Sequence, residues 1–153
     1  MTPQPETTSA ALWVVLARAY RAMAAFVEQS VAALGIGLSD FMILEALHHK
    51  GPMTMSALCD SALLANASMT AAIDRLETKK FVERIADKQD RRIRLVQLTP
   101  EGTTTIRHLY ARHLKDLDEV MKDIPPTDRA HLRSSLKTIG LTAQSLTESR
   151  RSL

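Results

Sequence analysis

The sequence predicts a mainly α-helical chain with one small β-hairpin placed directly after a pair of short helices. Through most of the 153 residues, apolar side chains recur every three or four positions, which is the helical period. Glycine and proline are few, with five and six residues, and aromatic residues make up only 4%, a composition that favours helices over strands. Between residues 81 and 98 the apolar spacing changes to the alternation typical of strands.

Composition excludes several classes of protein. A hydrophobic content of 45% and a charged content of 24% are those of a globular domain. The single cysteine, Cys59, excludes an internal disulfide and a multi-cysteine zinc site. The chain has no run of about 18 consecutive apolar residues, and Met1 to Glu6 lack the basic residues of a secretory signal. We therefore expect a soluble, cytoplasmic protein with no membrane partner.

The first half of the chain predicts three helices. Apolar residues spaced by three and four indicate one long helix over residues 9–34, which Gly35 and Gly37 end. Ser39 is predicted to cap a second helix that runs to residue 49, where the pair Gly51-Pro52 follows. Thr54 is predicted to cap a short third helix that ends near residue 62.

A fourth helix and a hairpin follow. The helix is predicted from about Asn66 or Ser68 to residue 79, after a turn over residues 63–67. Its inward-facing residues are expected to be Met69, Ile73 and Leu76. Two short helices joined by a tight turn make a helix-turn-helix unit. Strands are then predicted over 81–85 and 93–98, joined by a polar turn over 87–90, with Ile93, Leu95 and Gln97 on one face.

Two further helices complete the chain. Thr99-Pro100-Glu101 is a helix start, with threonine as the cap, and Pro125-Pro126 ends this fifth helix. Its inward face is predicted to hold Ile106, Leu109, His113, Leu117, Val120 and Ile124. Thr127 is predicted to cap a sixth helix with a coiled-coil-like seam, formed by Leu132, Leu136, Ile139, Ala143 and Leu146. The long terminal helices pack either on each other or on a second chain, and we favour a two-fold dimer.

The formal net charge is +3, and the basic residues behind it are concentrated. Residues 74–94 contain eight of the 20 Lys and Arg side chains and five acidic ones, which is again a balance of +3. A local basic stretch on a compact domain is a candidate contact for a polyanion. A solvated surface whose charges pair with each other would have the same composition, and charge alone does not decide between the two.

Three segments carry a family resemblance. They are Asp74-Arg75-Leu76-Glu77, Asp87-Lys88-Gln89-Asp90-Arg91-Arg92 and Leu98-Thr99-Pro100-Glu101-Gly102. In this order and spacing the chain resembles the multiple-antibiotic-resistance regulator (MarR) family. The resemblance covers about residues 38–102 by motif and the helical ends by layout only.

This resemblance implies a mainly α fold with a small β-hairpin, which is called a wing. Residues 38–98 would form a winged helix-turn-helix domain that binds DNA. Residues 9–34 and 100–151 would form the flanking N- and C-terminal dimerisation helices. Members of the family are dimeric repressors or activators. Many change their DNA affinity when they bind a small phenolic or lipophilic ligand, or when a cysteine is oxidised.

Eight residues are candidates for DNA contact: Asn66, Ser68, Thr70, Arg75, Lys88, Arg91, Arg92 and Arg94. Hydroxyl and amide side chains at a helix N-terminus suit phosphates and base edges in a major groove, and asparagine can pair with adenine. An arginine at the tip of a hairpin can enter the minor groove. By resemblance Arg92 matches the family's wing-tip arginine, and Arg91 or Lys88 would contact phosphate.

Each candidate also has a purely structural interpretation. The asparagine and the serine could cap the helix, and Thr70 could bond its own helix backbone. Arg75 could pair with Asp74 or Glu77, and the arginines at 91 and 92 could belong to an ordinary solvated turn. Gln89 stands where the family often has arginine. Fewer charged and base-reading groups indicate modest affinity or reliance on DNA shape.

A ligand pocket is expected where the first, second and fifth helices meet. Its candidate residues are Trp13, Tyr20, Met23, Met42, His48 and Tyr110, for which ordinary core packing is the alternative. Cys59 is either a small core residue or a redox sensor that packs against the fourth helix, the one predicted to read DNA. His108 and His113 are five residues apart and diverge on a helix, so no metal site is predicted. No cofactor is expected either.

These observations predict a homodimeric, sequence-specific transcription regulator, a ligand- or stress-responsive repressor that binds pseudo-palindromic operators. Two other functions stay open: a winged-helix module that binds a protein partner, and a regulator switched through oxidation of Cys59. The chain has no nucleophile elbow, glycine-rich phosphate loop or zinc-protease motif. It is therefore not expected to be an enzyme.

Overall fold

A computed structural model of the protein describes residues 8–62 and 66–151. The elements are α1 (Ser9–Ala33), α2 (Leu38–Lys50), β1 (Met53–Thr54), α3 (Met55–Ala62), α4 (Asn66–Thr78), β2 (Val82–Ala86), β3 (Arg94–Leu98), α5 (Pro100–Met121) and α6 (Pro126–Arg151). The predicted fold class, mainly helical with a small antiparallel sheet, is confirmed. The chain divides into two compact units, Met1–Leu114 and Lys115–Leu153, which are described separately.

The core of the first unit lies between α2, α3 and α4. Met69, Ile73 and Leu76 on α4 are completely buried, as predicted. From α2, Phe41 and Leu44 pack in the same cluster. Burying an aliphatic or aromatic side chain of this size contributes roughly 1.5–3 kcal/mol, so the inner face of α4 is fixed firmly in the core that it shares with α2.

Two of the predicted helix caps are confirmed by hydrogen bonds. The hydroxyl of Thr54 accepts from the Ala57 amide at 3.2 Å, and that of Thr99 accepts from the Gly102 amide at 3.0 Å. The predicted stop after α1 is also found, since Gly35 has a φ of 79°, in the left-handed region that glycine adopts freely.

Two predicted caps are wrong. Gly37 precedes α2 as its N-cap, without a side-chain cap, and its carbonyl accepts from the Phe41 amide at 3.0 Å, so Ser39 lies inside the first turn. The last helix begins at Pro126 rather than after Thr127, because the Pro125 carbonyl already accepts from the Asp128 and Arg129 amides. Proline suits the first helical position, since its missing N–H would be unpaired there anyway.

The sheet has three strands in the order β1-β3-β2, with both pairs antiparallel. The strand β1 was not predicted, because two residues are too short to show an alternating pattern. The buried residue of β3 is Val96, which lies on the face opposite to Leu95 and Gln97. Those two share the more exposed face, where the Gln97 side-chain amide donates to Glu83 at 2.7 Å.

The first helix has an apolar face that the rest of its unit leaves uncovered. Trp13 is 66% exposed and Tyr20 is 73% exposed. By length and composition alone, α1 is long and apolar enough to cross a membrane. Counting consecutive apolar residues missed this, because Arg18 and Arg21 interrupt the run. One helix of this length and composition does not establish a membrane span, because core helices of soluble proteins share these properties.

The second unit consists of the end of α5 and all of α6. The Arg129 side chain closes the turn between them by donating to the Ile124 carbonyl at 2.8 Å and to the Met121 carbonyl at 2.6 Å. Ile124 therefore lies beyond the helix, and Val120 is exposed, so neither belongs to a buried helical face as predicted. Among the described residues of α6, none is buried, and its predicted seam faces solvent in the single chain.

Candidate nucleic-acid interface

The N-terminal part of α4 presents short polar side chains. Ser68 and Thr70 are exposed there, on either side of the buried Met69. Asn66 begins the helix, but its side chain, like the turn residues 63–65, lies outside the described residues. The exposed hydroxyls at this helix start are groups that can meet phosphates or base edges.

Further along the same helix, the basic side chains contact the protein itself. The Arg75 guanidinium donates through Nη2 to Asp40 Oδ1 at 2.7 Å. The Lys79 ammonium lies 3.4 Å from the other oxygen of the same carboxylate. The Asp40 side chain is only 5% exposed, although it carries a charge. Sequence analysis missed Asp40, whose only local signal is an acid in the first turn of an otherwise apolar helix.

The acidic side chains of α4 contact a different element. From β2, Arg84 donates through Nη2 to Asp74 Oδ1 at 2.7 Å, and its Nη1 pairs with Glu77 Oε2. Its backbone amide also donates to Glu77 at 3.2 Å. Arg75 therefore makes a structural ion pair, as one interpretation of the sequence predicts, but with a carboxylate of α2 rather than with Asp74 or Glu77. Those two acids both pair with Arg84.

The end of α4 is joined to the start of α5. Lys80 has a φ of 60°, and the Phe81 amide donates to the Leu76 carbonyl at 2.9 Å, which together form a left-handed helix cap. The Thr99 hydroxyl donates to the Lys80 carbonyl at 2.6 Å. A Cβ on Gly102 would lie 1.9 Å from the Phe81 carbonyl oxygen, so this contact requires glycine.

The turn between β2 and β3 is built by two aspartates. Asp87 Oδ1 accepts from the Gln89 amide at 2.7 Å and from the Asp90 amide at 3.0 Å. Asp90 Oδ1 accepts in turn from the Arg92 amide at 2.9 Å. The backbone hydrogen bonds from Asp90 and Gln89 hold the pKa of Asp87 below its usual value, because they favour the ionised carboxylate.

We refer to β2, β3 and this turn, residues 82–98, as the wing. Four basic residues at and beside the wing turn are exposed: Lys88, Arg91, Arg92 and Arg94. Within the part of the chain that the structure describes, none of these four side chains has an ion pair. They form a group of cations available to an external polyanion, at the position where the sequence predicted one.

The predicted ligand residues are only partly brought together. Met42 and Tyr110 pack against the core, and His48 lies 6.2 Å from Tyr110 between ring centroids. Met23 is half-buried, whereas Trp13 and Tyr20 stay exposed. A cavity of about 300 Å³ lies nearby. Among the residues that the structure describes, His48 is the only predicted ligand residue that lines this cavity. Its lining is Leu47, His48, Gly51, Pro52, Gln97, Leu98, Thr103 and Arg107.

The other singled-out side chains lie apart. Cys59 is half-buried and packs against the core. His113 is buried, with Nδ1 3.1 Å from the Ser30 hydroxyl and its ring edge-on to Phe41 at 5.1 Å, while His108 is exposed. Residues 8–62 and 66–151 contain no group of three or more His, Cys, Asp or Glu side chains placed to hold a metal ion.

Comparison with known proteins places this geometry among DNA-binding regulators. The model of the MarR family matches residues 36–93. The chain is 31% identical over 133 residues to the HTH-type transcriptional regulator MhqR of Bacillus subtilis, covering 87% of this chain and 92% of the relative. The solved structure of the transcriptional regulator BldR from Sulfolobus solfataricus is 28% identical, with a TM-score of 0.74, and covers 89% of this chain and 96% of BldR.

Two further structures share the fold at lower identity. One is a mutant MarR from Escherichia coli complexed with operator DNA, 22% identical with a TM-score of 0.70, covering 84% of this chain and 92% of that one. The other is BpsR from Bordetella bronchiseptica, whose DNA binding is regulated by 6-hydroxynicotinic acid. It is 22% identical with a TM-score of 0.71, and the match covers 84% of this chain and 98% of BpsR.

Proposed function

This chain belongs to the MarR family of transcriptional regulators, and we propose that it is a homodimeric repressor that binds pseudo-palindromic operators and responds to a small effector. The observation that carries the DNA part of the proposal is the wing, where four exposed cations have no ion pair among the described residues. Free cations at a hairpin tip attract phosphates and can enter a minor groove. The turn from Asp87 to Arg92 has no apolar side chain, which disfavours a protein partner there.

The contacts that we propose divide between two grooves. The start of α4 enters the major groove with Ser68 and Thr70, joined by Asn66. Arg92 enters the adjacent minor groove, while Lys88, Arg91 and Arg94 contact phosphates. An operator complex of a structurally similar MarR protein supports this use of the fold.

The homodimer is supported by apolar surface that the single chain leaves uncovered. On α1 it includes Leu12, Trp13 and Val15, and on α6 it includes Leu136 and Leu146. Exposed apolar faces of this kind mark protein contacts, and a two-fold partner would bury the same faces of both subunits. The winged helix-turn-helix domains of the two subunits, if they lie about 34 Å apart, would match one turn of DNA.

An effector would act by favouring one dimer geometry over another, since a ligand shifts an equilibrium only through different affinities for its two states. We propose a small aromatic or lipophilic molecule, by analogy with the regulation of BpsR. The cavity beside His48 supports such a site, because it borders both α2 of the winged helix-turn-helix and α5, which we assign to the dimerisation region. Oxidation of Cys59 is the alternative input, which a Cys59→Ser variant tests.

The first experiment is a salt titration of DNA binding, with the mass of the protein in solution recorded alongside. We expect a dimer that binds a selected palindromic duplex more tightly than random duplex, with an affinity that falls as salt rises. A dimer without any DNA binding would contradict the DNA contacts at the wing. A monomer would contradict the assignment of α1 and α6 as dimerisation helices.

A further inference from the structure

Asp40 is a charged side chain buried beneath the helix that we propose reads DNA. It lies in the first turn of α2, and its side chain is 5% exposed. A buried carboxylate is costly unless it is paired and hydrogen-bonded. Both of its oxygens are in fact directed at cations, one from Arg75 on α4 and one from Lys79 directly after α4.

The two cations differ from the carboxylate in their exposure. The side chain of Arg75 is 51% exposed and that of Lys79 is 47% exposed. Both could therefore reach a DNA phosphate if Asp40 did not hold them. Arg75 is held through one nitrogen, at 2.7 Å, although a guanidinium has five N–H donors. Moving either cation to a phosphate would weaken the pairing of a carboxylate that has little contact with water.

We propose that Asp40 is a specificity-determining positioning residue, which rests on the proposed DNA-binding function. It fixes the rotation of α4 against α2, so that the exposed face at the start of α4 meets the bases in one register. It also withholds Arg75 and Lys79 from phosphates, which lowers affinity for DNA of any sequence. Sequence-independent attraction then comes mainly from the wing.

The decisive experiment compares Asp40→Asn with Asp60→Asn. Both variants remove one negative charge, but Asp60 is exposed on α3, so their difference isolates the pairing. Each is titrated with salt on random duplex and on the duplex selected by the wild-type protein, with thermal unfolding recorded in parallel. The ratio of the two affinities measures specificity, and the salt slope counts the phosphates neutralised.

We expect Asp40→Asn to lower the ratio of selected to random affinity by about tenfold, through tighter random binding and weaker selected binding. Its salt slope on random duplex should become steeper by about one to two, since each phosphate neutralised adds about 0.9. Asp60→Asn should leave this ratio within about twofold of the wild-type value. If folded Asp40→Asn matches Asp60→Asn in both ratio and slope, the proposal is wrong.

A second pair of variants tests the same idea without disturbing a buried group. Lys79→Gln removes one exposed cation directly after α4, and Lys88→Gln removes one from the wing. Because Asp40 withholds Lys79, we expect Lys79→Gln to change the slope on random duplex far less than Lys88→Gln, which should reduce it by about 0.9. Equal reductions would overturn the proposal even if Asp40→Asn fails to fold.

These outcomes separate this inference from the proposed function. Wild-type protein that binds no duplex at any salt concentration contradicts both DNA binding and the role of Asp40. Wild-type protein that binds the selected duplex, with a ratio unchanged by Asp40→Asn, retains the function and removes only the role of Asp40.

Discussion

The helix α4 and the wing share one basic segment of the sequence, yet the charges on α4 pair within the protein, whereas most of those on the wing are exposed and unpaired among the described residues. On α4 the side chains of Asp74, Arg75 and Glu77 are all paired within the protein, through Asp40 and Arg84. At and beside the wing turn, four exposed side chains have no ion pair among the described residues: Lys88, Arg91, Arg92 and Arg94. The family motif on α4 therefore serves to hold a helix in place, whereas the basic side chains of the wing motif are exposed, which is why we propose that they contact DNA.

The largest expected effect comes from breaking the junction that supports α4 while leaving the wing turn intact. Gly102→Ala would place a Cβ 1.9 Å from the Phe81 carbonyl oxygen, where backbone rather than a flexible side chain must move. We expect a loss of about 2–3 kcal/mol in the free energy of unfolding, the upper range for overpacking. Chemical denaturation measures it.

Gly140→Ala is the matched control. A Cβ at this helical position meets nothing within 4 Å, so the substitution should stabilise the protein by up to about 1 kcal/mol. Equal effects of the two alanine substitutions would show that the close approach at Gly102 does not constrain the chain.

The second prediction concerns the wing. Arg92→Ala should weaken binding to the selected duplex by about 1–3 kcal/mol, because it removes a cation that we place in the minor groove. The free energy of unfolding should change by less than about 0.5 kcal/mol, as expected for an exposed side chain with no ion pair among the described residues. Fluorescence anisotropy and thermal unfolding measure the two quantities, and unchanged affinity would remove Arg92 from the interface.

The third prediction concerns Arg84, a cation that pairs with acidic side chains of α4. Arg84→Gln leaves Asp74 and Glu77 without their common cation, at a cost of about 1 kcal/mol in unfolding free energy for two partly exposed pairs. Its effect on DNA affinity should be smaller than that of Arg92→Ala. If Arg84→Gln weakens DNA binding more than Arg92→Ala does, the contrast between α4 and the wing is incorrect.

Sequence reasoning predicted the wing better than the pairing on α4, for a physical reason. The exposure of a polar hairpin turn is a local property, and so is the apolar period that placed Met69, Ile73 and Leu76 in the core. The partner of Arg75 is 35 residues away along the chain, and no local pattern indicates it. The strand β1 was missed for another reason, since its two residues form a strand only by pairing with β3.

The fourth prediction tests the backbone at the end of α4. Lys80 adopts a φ of 60°, which costs a residue with a Cβ about 1–2 kcal/mol. Lys80→Gly should relieve this cost, and after the greater entropy of glycine in the unfolded chain we expect a net gain of about 0.5–1 kcal/mol. Thr78→Gly, at the last residue of α4, should instead lose about that amount, since it removes a side chain whose hydroxyl donates to the Asp74 carbonyl. A loss of stability in Lys80→Gly would mean that the side chain matters more than the backbone strain.

The smallest effect concerns the acid response of the wing turn. Because hydrogen bonds from the Asp90 and Gln89 amides lower the pKa of Asp87 from 3.8, the ionised carboxylate stabilises the turn. That contribution is fully present above pH 3.8 and is lost as the pH falls through the lower, folded-state pKa. Relative to an unstructured peptide at the same pH, amide exchange at Gln89 and Asp90 should therefore accelerate on acidification. In Asp87→Asn the side-chain carbonyl can still accept but does not titrate, so this acceleration should be absent, and its persistence would show that another group controls the turn.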